Sequence, residues 1–121
     1  MAKDDYNVIV YKILLYFYAI LKRKISFRDE TFQAAISKAD IQDEYLTDVL
    51  QMMNDENLIT GVRTVKAWGN ERIMISKKSN ISITAQGIRY LEENSKMKKI
   101  GEQLTSIPGL ISSLIDIVKP F

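Results

Sequence analysis

The sequence predicts an α+β fold in which three helices precede a β-hairpin and two more helices follow it. Two observations support this prediction. Apolar residues recur at helical spacing before residue 57 and after residue 84, whereas the stretch between them is rich in Ile, Val and Thr. This element order is that of a winged helix-turn-helix with an additional C-terminal helix. The 121 residues, 46% of them apolar, suffice for one domain with a sizeable core.

The first predicted helix runs from about Asp5 to Arg23. Thirteen of the fourteen residues from Val8 to Leu21 are apolar, and Lys12 is the exception. A membrane span needs roughly 20 largely apolar residues, so this segment is too short to be one. We therefore expect a cytoplasmic protein with no membrane span, in which this helix is covered on nearly every side.

The second and third predicted helices form the helix-turn-helix. Ser26 can cap a short second helix that ends at Ile36, because a carboxylate follows three residues later at Asp29. Asp40 can cap a third helix that reaches about Glu56. The apolar positions of the third helix follow helical spacing and are predicted to face the core: Ile41, Tyr45, Leu46, Val49, Leu50 and Met53.

The predicted wing is a hairpin between the third and fourth helices. Leu58–Lys66 is typical of a strand, and a turn at residues 68–70 separates it from Arg72–Ser76. The second of these segments alternates, with Ile73 and Ile75 on one face and Met74 on the other. A further strand-like segment, Asn80–Ile83, precedes Thr84, which is a good N-cap for a fourth helix from Ala85 to about Leu104.

The chain divides into a winged-helix domain, residues 1–104, and an apolar C-terminal helix, residues 105–121. Pro108 suits the first turn of that helix. Its apolar stripe comprises Ile107, Leu110, Ile111, Leu114, Ile115 and Val118. Two interpretations stay open: the stripe covers the first helix of its own chain, or it joins the first helix of a partner in a homodimer.

Residues 83–94, Ile-Thr-Ala-Gln-Gly-Ile-Arg-Tyr-Leu-Glu-Glu-Asn, followed by Ser-Lys-Met-Lys-Lys, resemble the YjcQ family. Residues 56–62, Glu-Asn-Leu-Ile-Thr-Gly-Val, are similar to the family at the passage from third helix to wing. The resemblance covers about residues 5–110. It implies a small winged-helix protein of Gram-positive bacteria or their phages, and it implies no particular activity.

The composition argues against catalysis. The chain contains no Cys and no His, which excludes thiolate nucleophiles, Cys/His zinc sites and a Ser-His-Asp triad. Ser112 and Ser113 have no plausible base nearby, and no glycine-rich phosphate loop is present. We therefore expect a protein that is not an enzyme and that uses no cofactor and no metal.

Charge differs sharply between the third helix and the wing. Residues 41–60 contain five acids and no bases, whereas residues 61–80 contain five bases and one acid. Because phosphates repel an acidic surface, the third helix is poorly suited to the major groove. Gln51 and Asn54 could still contact adenine, although each is more simply a solvated polar residue.

Contact with double-stranded DNA through the wing, in a regulatory or accessory role, is the leading prediction. The residues predicted to make it are Arg63, Lys66, Trp68, Arg72, Lys77 and Lys78. The alternative is a protein-interaction module, phage-derived, that uses the acidic third helix and Trp68. An interpretation without a binding role also stays open, in which Trp68 folds onto the sheet and the lysines only keep the hairpin soluble.

Overall fold

The computed structural model describes residues 6–36, 43–67, 69 and 71–94, and it has an α+β, winged-helix-like fold. Three helices come first: α1 Tyr6–Leu21, α2 Asp29–Ile36 and α3 Asp43–Asp55. Four short strands follow: β1 Ile59–Thr60, β2 Thr64–Lys66, β3 Arg72–Met74 and β4 Ser82–Ile83. A 3₁₀ turn, Lys78–Asn80, precedes β4, and α4 Ala85–Glu93 comes last.

Helix α1 is the centre of the core, as its apolar sequence predicts. Eleven of its sixteen residues are buried, including Lys12, and α1 packs against α2, α3, α4 and β4. Full burial of one large apolar side chain stabilises a fold by roughly 1.5–3 kcal/mol. Among the described elements, the long apolar run between Val8 and Ala19 thus packs against three helices and one strand.

Helix α2 begins two residues later than the predicted Ser26 cap requires. Its first turn starts at Asp29, and the Arg28 carbonyl accepts the bond from the Phe32 N–H at 2.9 Å. The Tyr16 hydroxyl accepts a 3.2 Å hydrogen bond from the Arg28 N–H and lies 2.7 Å from the Thr31 hydroxyl. The cap predicted at Ser26 is wrong because a side chain of α1 fixes the chain at Arg28.

Helix α3 follows its predicted apolar stripe over most of its length. Leu46, Val49, Leu50 and Met53 are buried. Tyr45 is 41% exposed, so its predicted place in the core is wrong. Ile41 lies outside the described residues.

The predicted strand Leu58–Lys66 is two strands, because the chain bends at Gly61. Gly61 has φ +95°, and a Cβ there would collide with the Asn80 carbonyl. Strand β1 pairs antiparallel with β4, and β2 pairs antiparallel with β3. Gly61 therefore separates the small sheet beside α1 from the projecting hairpin.

The N-cap predicted for α4 is confirmed. The Thr84 hydroxyl accepts a 3.0 Å hydrogen bond from the Gly87 N–H and donates to the Leu58 carbonyl at 3.0 Å. The structure describes this helix to Asn94. The predicted continuation to Leu104, the boundary between residues 104 and 105, the C-terminal helix and its homodimer contact lie outside the described residues.

Candidate binding surface on the wing and the third helix

The wing, which we define as residues 63–67 and 71–75, has two chemically different faces. The register pairs Thr64 with Met74, Val65 with Ile73, and Lys66 with Arg72. Side chains alternate between the two faces of a strand. Thr64, Arg72 and Met74 are half-buried on the face toward α3, whereas Val65 and Ile73 point away from it.

The inward face is tied to α3 by a chain of hydrogen bonds. The Thr64 hydroxyl donates to Gln51 Oε1 at 2.6 Å and accepts from Arg72 Nη1 at 2.9 Å. Arg72 Nε also lies 3.9 Å from a carboxylate oxygen of Asp48 on α3. The guanidinium predicted to contact DNA is therefore already engaged with the acidic face of α3.

The two α3 amides predicted as candidate base contacts also have partners within the chain. Gln51 Nε2 donates to a carboxylate oxygen of Asp55 at 2.8 Å. Asn54 Oδ1 accepts a 3.3 Å hydrogen bond from the Val62 N–H. Gln51, through Thr64, and Asn54, through Val62, therefore help to position the wing on α3. The spacing of residues along α3 does not predict this role, because it depends on the path of the hairpin.

The outward face of the wing is apolar and open to solvent. Val65 and Ile73 are each 45% exposed, and Ile75, two residues further along, is 60% exposed. Val65 and Ile73 are direct partners across the strands, so the three side chains form one row. The sequence alternation separates Ile73 and Ile75 from Met74, but it does not show which face meets solvent.

The remaining candidate cations are not all equally free. Arg63, Lys66 and Lys77 are exposed, and within the described part of the chain none of them forms an ion pair. Lys78 Nζ instead lies 3.6 Å from an Asp29 carboxylate oxygen at the start of α2. Three of the predicted cations are thus available to an external anion.

Lys77 and Lys78 lie at the base of the wing, away from its turn. They line an open groove of about 470 Å³. Its apolar lining comes from Phe27, Leu46 and Met74. These two lysines therefore belong to the junction of wing, α2 and α3, and they do not extend the cationic part of the hairpin itself.

The solvent side of α3 is acidic along its whole length. Its exposed carboxylates are Asp43, Glu44, Asp48 and Asp55, and Glu56 follows directly. Of these, Asp48 faces Arg72. This surface is unfavourable for phosphate contact and favourable for a cationic partner.

Trp68, the aromatic residue predicted to act at the turn of the wing, lies outside the described residues. Its predicted contact with DNA or protein stays a prediction. The described flank of the turn is closed by a hydrogen bond from the Ala67 N–H to the Glu71 carbonyl, at 2.6 Å.

A protein-family model matches most of the chain. The family model described as YjcQ protein matches residues 11–108. Comparison with curated proteins and with solved structures found no match. In the described part of the chain, no helix is long and apolar enough to cross a membrane.

Proposed function

The chain belongs to the YjcQ family, and from that premise we propose that it binds double-stranded DNA through the cations of its wing rather than through α3. The observation that carries this proposal is that Arg63 and Lys66 in the wing, and Lys77 at its base, are exposed and form no ion pair among the described residues. Free Lys and Arg side chains contact phosphates and release counterions, which is the main source of sequence-independent affinity.

The engagement of α3 supports a mode that does not depend on base contacts. A helix in the major groove needs free side chains that reach base edges. Here Gln51 and Asn54 bond within the chain, and the carboxylates of α3 repel phosphate. The proposal is therefore of backbone binding with little sequence preference, in a regulatory or accessory role, by a cytoplasmic protein that is not an enzyme.

Fluorescence anisotropy with a random-sequence duplex, measured across a range of salt concentrations, tests the proposal. In the double variant Arg63→Gln/Lys66→Gln we expect weaker binding to the duplex. The slope of log affinity against log salt concentration should also become shallower, by about 0.9 for each phosphate that is no longer neutralised. The matched control is Lys22→Gln/Lys24→Gln, which removes the same charge from exposed positions after α1. No binding at low salt, or equal losses in both double variants, would contradict wing-led DNA binding.

A second candidate is a protein-interaction module. Two observations favour it: the exposed apolar row of Val65, Ile73 and Ile75, and the acidic solvent side of α3. Neither surface suits a phosphate backbone. If the duplex titration shows no binding at low salt, this candidate replaces DNA binding.

A further inference from the structure

The free edge of β2 offers main-chain hydrogen-bonding groups that no described residue uses. Strands β2 and β3 form a sheet of two strands; β3 packs more closely against α3, and β2 reaches α3 through the Thr64 side chain. Strand β2 is therefore the outer edge of the wing. An open edge beside exposed apolar side chains is a template for pairing with another chain.

The pairing pattern shows which groups face that edge. The Ile75 N–H donates to the Arg63 carbonyl at 2.8 Å, and the Ala67 N–H donates to the Glu71 carbonyl at 2.6 Å. Residue pairs in an antiparallel sheet alternate between hydrogen-bonded and non-hydrogen-bonded. The pair between these two, Val65 with Ile73, is therefore also a hydrogen-bonded pair, whose main-chain groups point to the partner strand. Thr64 and Lys66 consequently turn their N–H and C=O groups away from β3.

The edge is held in place by its attachment to α3. The Thr64 side chain bonds Gln51, and the Arg63 N–H donates to the Ser76 hydroxyl at 2.9 Å. Asn54 holds the Val62 N–H just before the strand. A fixed edge loses little conformational entropy when a further strand is added to it.

We propose that the wing binds an extended, acidic and apolar segment of another protein as a third strand along β2. The segment's main chain would bond Thr64 and Lys66, as in other cases of strand addition. A side chain opposite Val65 shares the outward face and must be apolar. Lys66, the exposed cation next to Val65, lies on the opposite face of the strand, so carboxylates suit the alternate positions of the segment that share that face.

The extent of the surface argues against a second copy of this chain as the occupant. A stable dimer buries on the order of 800 Å² on each partner. Three exposed side chains and a three-residue edge are far smaller than that. A strand-like segment needs less side-chain area because its main-chain hydrogen bonds contribute directly to affinity.

The test uses the full chain and two blocked peptides that share their apolar residues and carry charges of opposite sign. The probe is Glu-Ile-Glu-Val-Glu-Ile-Glu, and the control is Lys-Ile-Lys-Val-Lys-Ile-Lys. In an NMR titration at pH 7 we expect the acidic peptide to bind at least tenfold more tightly. Its binding should shift the amide signals of Thr64 and Lys66 and slow their hydrogen exchange.

Two variants of the chain sharpen the assignment. Val65→Asp should abolish binding of the acidic peptide, and Lys66→Glu should reverse the preference between the peptides. Met52→Asp, at a similarly exposed position on α3, is the matched control and should leave binding unchanged. Equal binding of both peptides, shifts confined to another surface, or no binding at millimolar concentration would overturn the proposal.

A duplex titration monitored on the same amide signals separates this proposal from DNA binding. If DNA shifts the signals of Val65, Ile73 and Ile75 but the acidic peptide alone does not, the outward face is a DNA contact and the strand-addition proposal is wrong. If DNA does not bind but the acidic peptide does, the proposed DNA function fails and strand addition stands.

Discussion

The Thr64 hydroxyl donates a 2.6 Å hydrogen bond to the side-chain carbonyl of Gln51, and this contact joins the wing to α3. The same hydroxyl accepts from Arg72, so one oxygen links the hairpin's two strands with the helix. Strands of three residues have few ladder bonds of their own. The orientation of the wing therefore depends on this side-chain contact.

Replacing Thr64 with Val should loosen the wing. The variant keeps the side chain's shape but removes both hydrogen bonds, so we expect a loss of about 1 kcal/mol in the free energy of unfolding. Urea denaturation measures this loss, and amide exchange at Val65 and Lys66 should accelerate. Thr60→Val, at an exposed position in β1, is the control and should change stability by less than about 0.5 kcal/mol. Equal effects of the two substitutions would show that the contact with Gln51 adds nothing.

The sequence predicts the order of elements well and the use of polar side chains poorly. Apolar spacing identifies Leu46, Val49, Leu50 and Met53 as the buried side of α3, because that pattern is local to one helix. The engagement of Gln51 and Arg72 is not local, since their partner Thr64 is brought near only by the hairpin. Candidate DNA contacts chosen by residue type therefore include side chains that serve the fold.

The hydroxyls of two buried tyrosines in α1 should contribute to stability in opposite ways. The Tyr16 hydroxyl bonds the backbone of Arg28 and the Thr31 side chain. The Tyr11 hydroxyl is buried and has no hydrogen-bond partner among the described residues. An unpartnered buried hydroxyl is destabilising, whereas a bonded one contributes about 1 kcal/mol.

Tyr16→Phe should therefore lower the free energy of unfolding by about 1–2 kcal/mol, because it also leaves the start of α2 without its hydroxyl contact. Tyr11→Phe should leave stability unchanged or raise it. The two substitutions remove the same atom from the same helix, so each is the control for the other in a urea titration. A larger loss from Tyr11→Phe than from Tyr16→Phe would contradict this assignment.

Stability should fall in alkaline solution. Burial is the main cause that raises the pKa of Tyr6, Tyr11 and Tyr90 above the usual 10.0, and the Glu56 carboxylate raises the pKa of Tyr6 and Tyr90 further. The folded state therefore binds these phenolic protons more tightly than the unfolded state. Their contribution to the free energy of unfolding is complete below pH 10 and is lost as pH rises through the folded-state pKa values.

Urea midpoints measured between pH 8 and pH 11 test this expectation. The midpoint should decrease above pH 10, and in Tyr11→Phe the decrease should be smaller because one raised pKa is removed. A midpoint that stays constant or rises above pH 10 would contradict a folded state that favours the protonated phenols.

Gly87 in the first turn of α4 provides a test in which two known effects have opposite signs. In an open helix, Gly→Ala stabilises by about 1 kcal/mol. Here a Cβ would collide with the Leu58 carbonyl and would lie 2.7 Å from Ile83 Cγ1. Because that carbonyl also accepts hydrogen bonds from the Thr84 N–H and hydroxyl, it cannot withdraw without breaking them. We expect Gly87→Ala to lower the free energy of unfolding by about 1–3 kcal/mol, the usual range for overpacking.

The control is Arg89→Ala, at an exposed position of the same helix, which should change the free energy of unfolding by less than about 0.5 kcal/mol in a urea titration. A stabilising Gly87→Ala would show that α4 has room for a Cβ against β1 and β4.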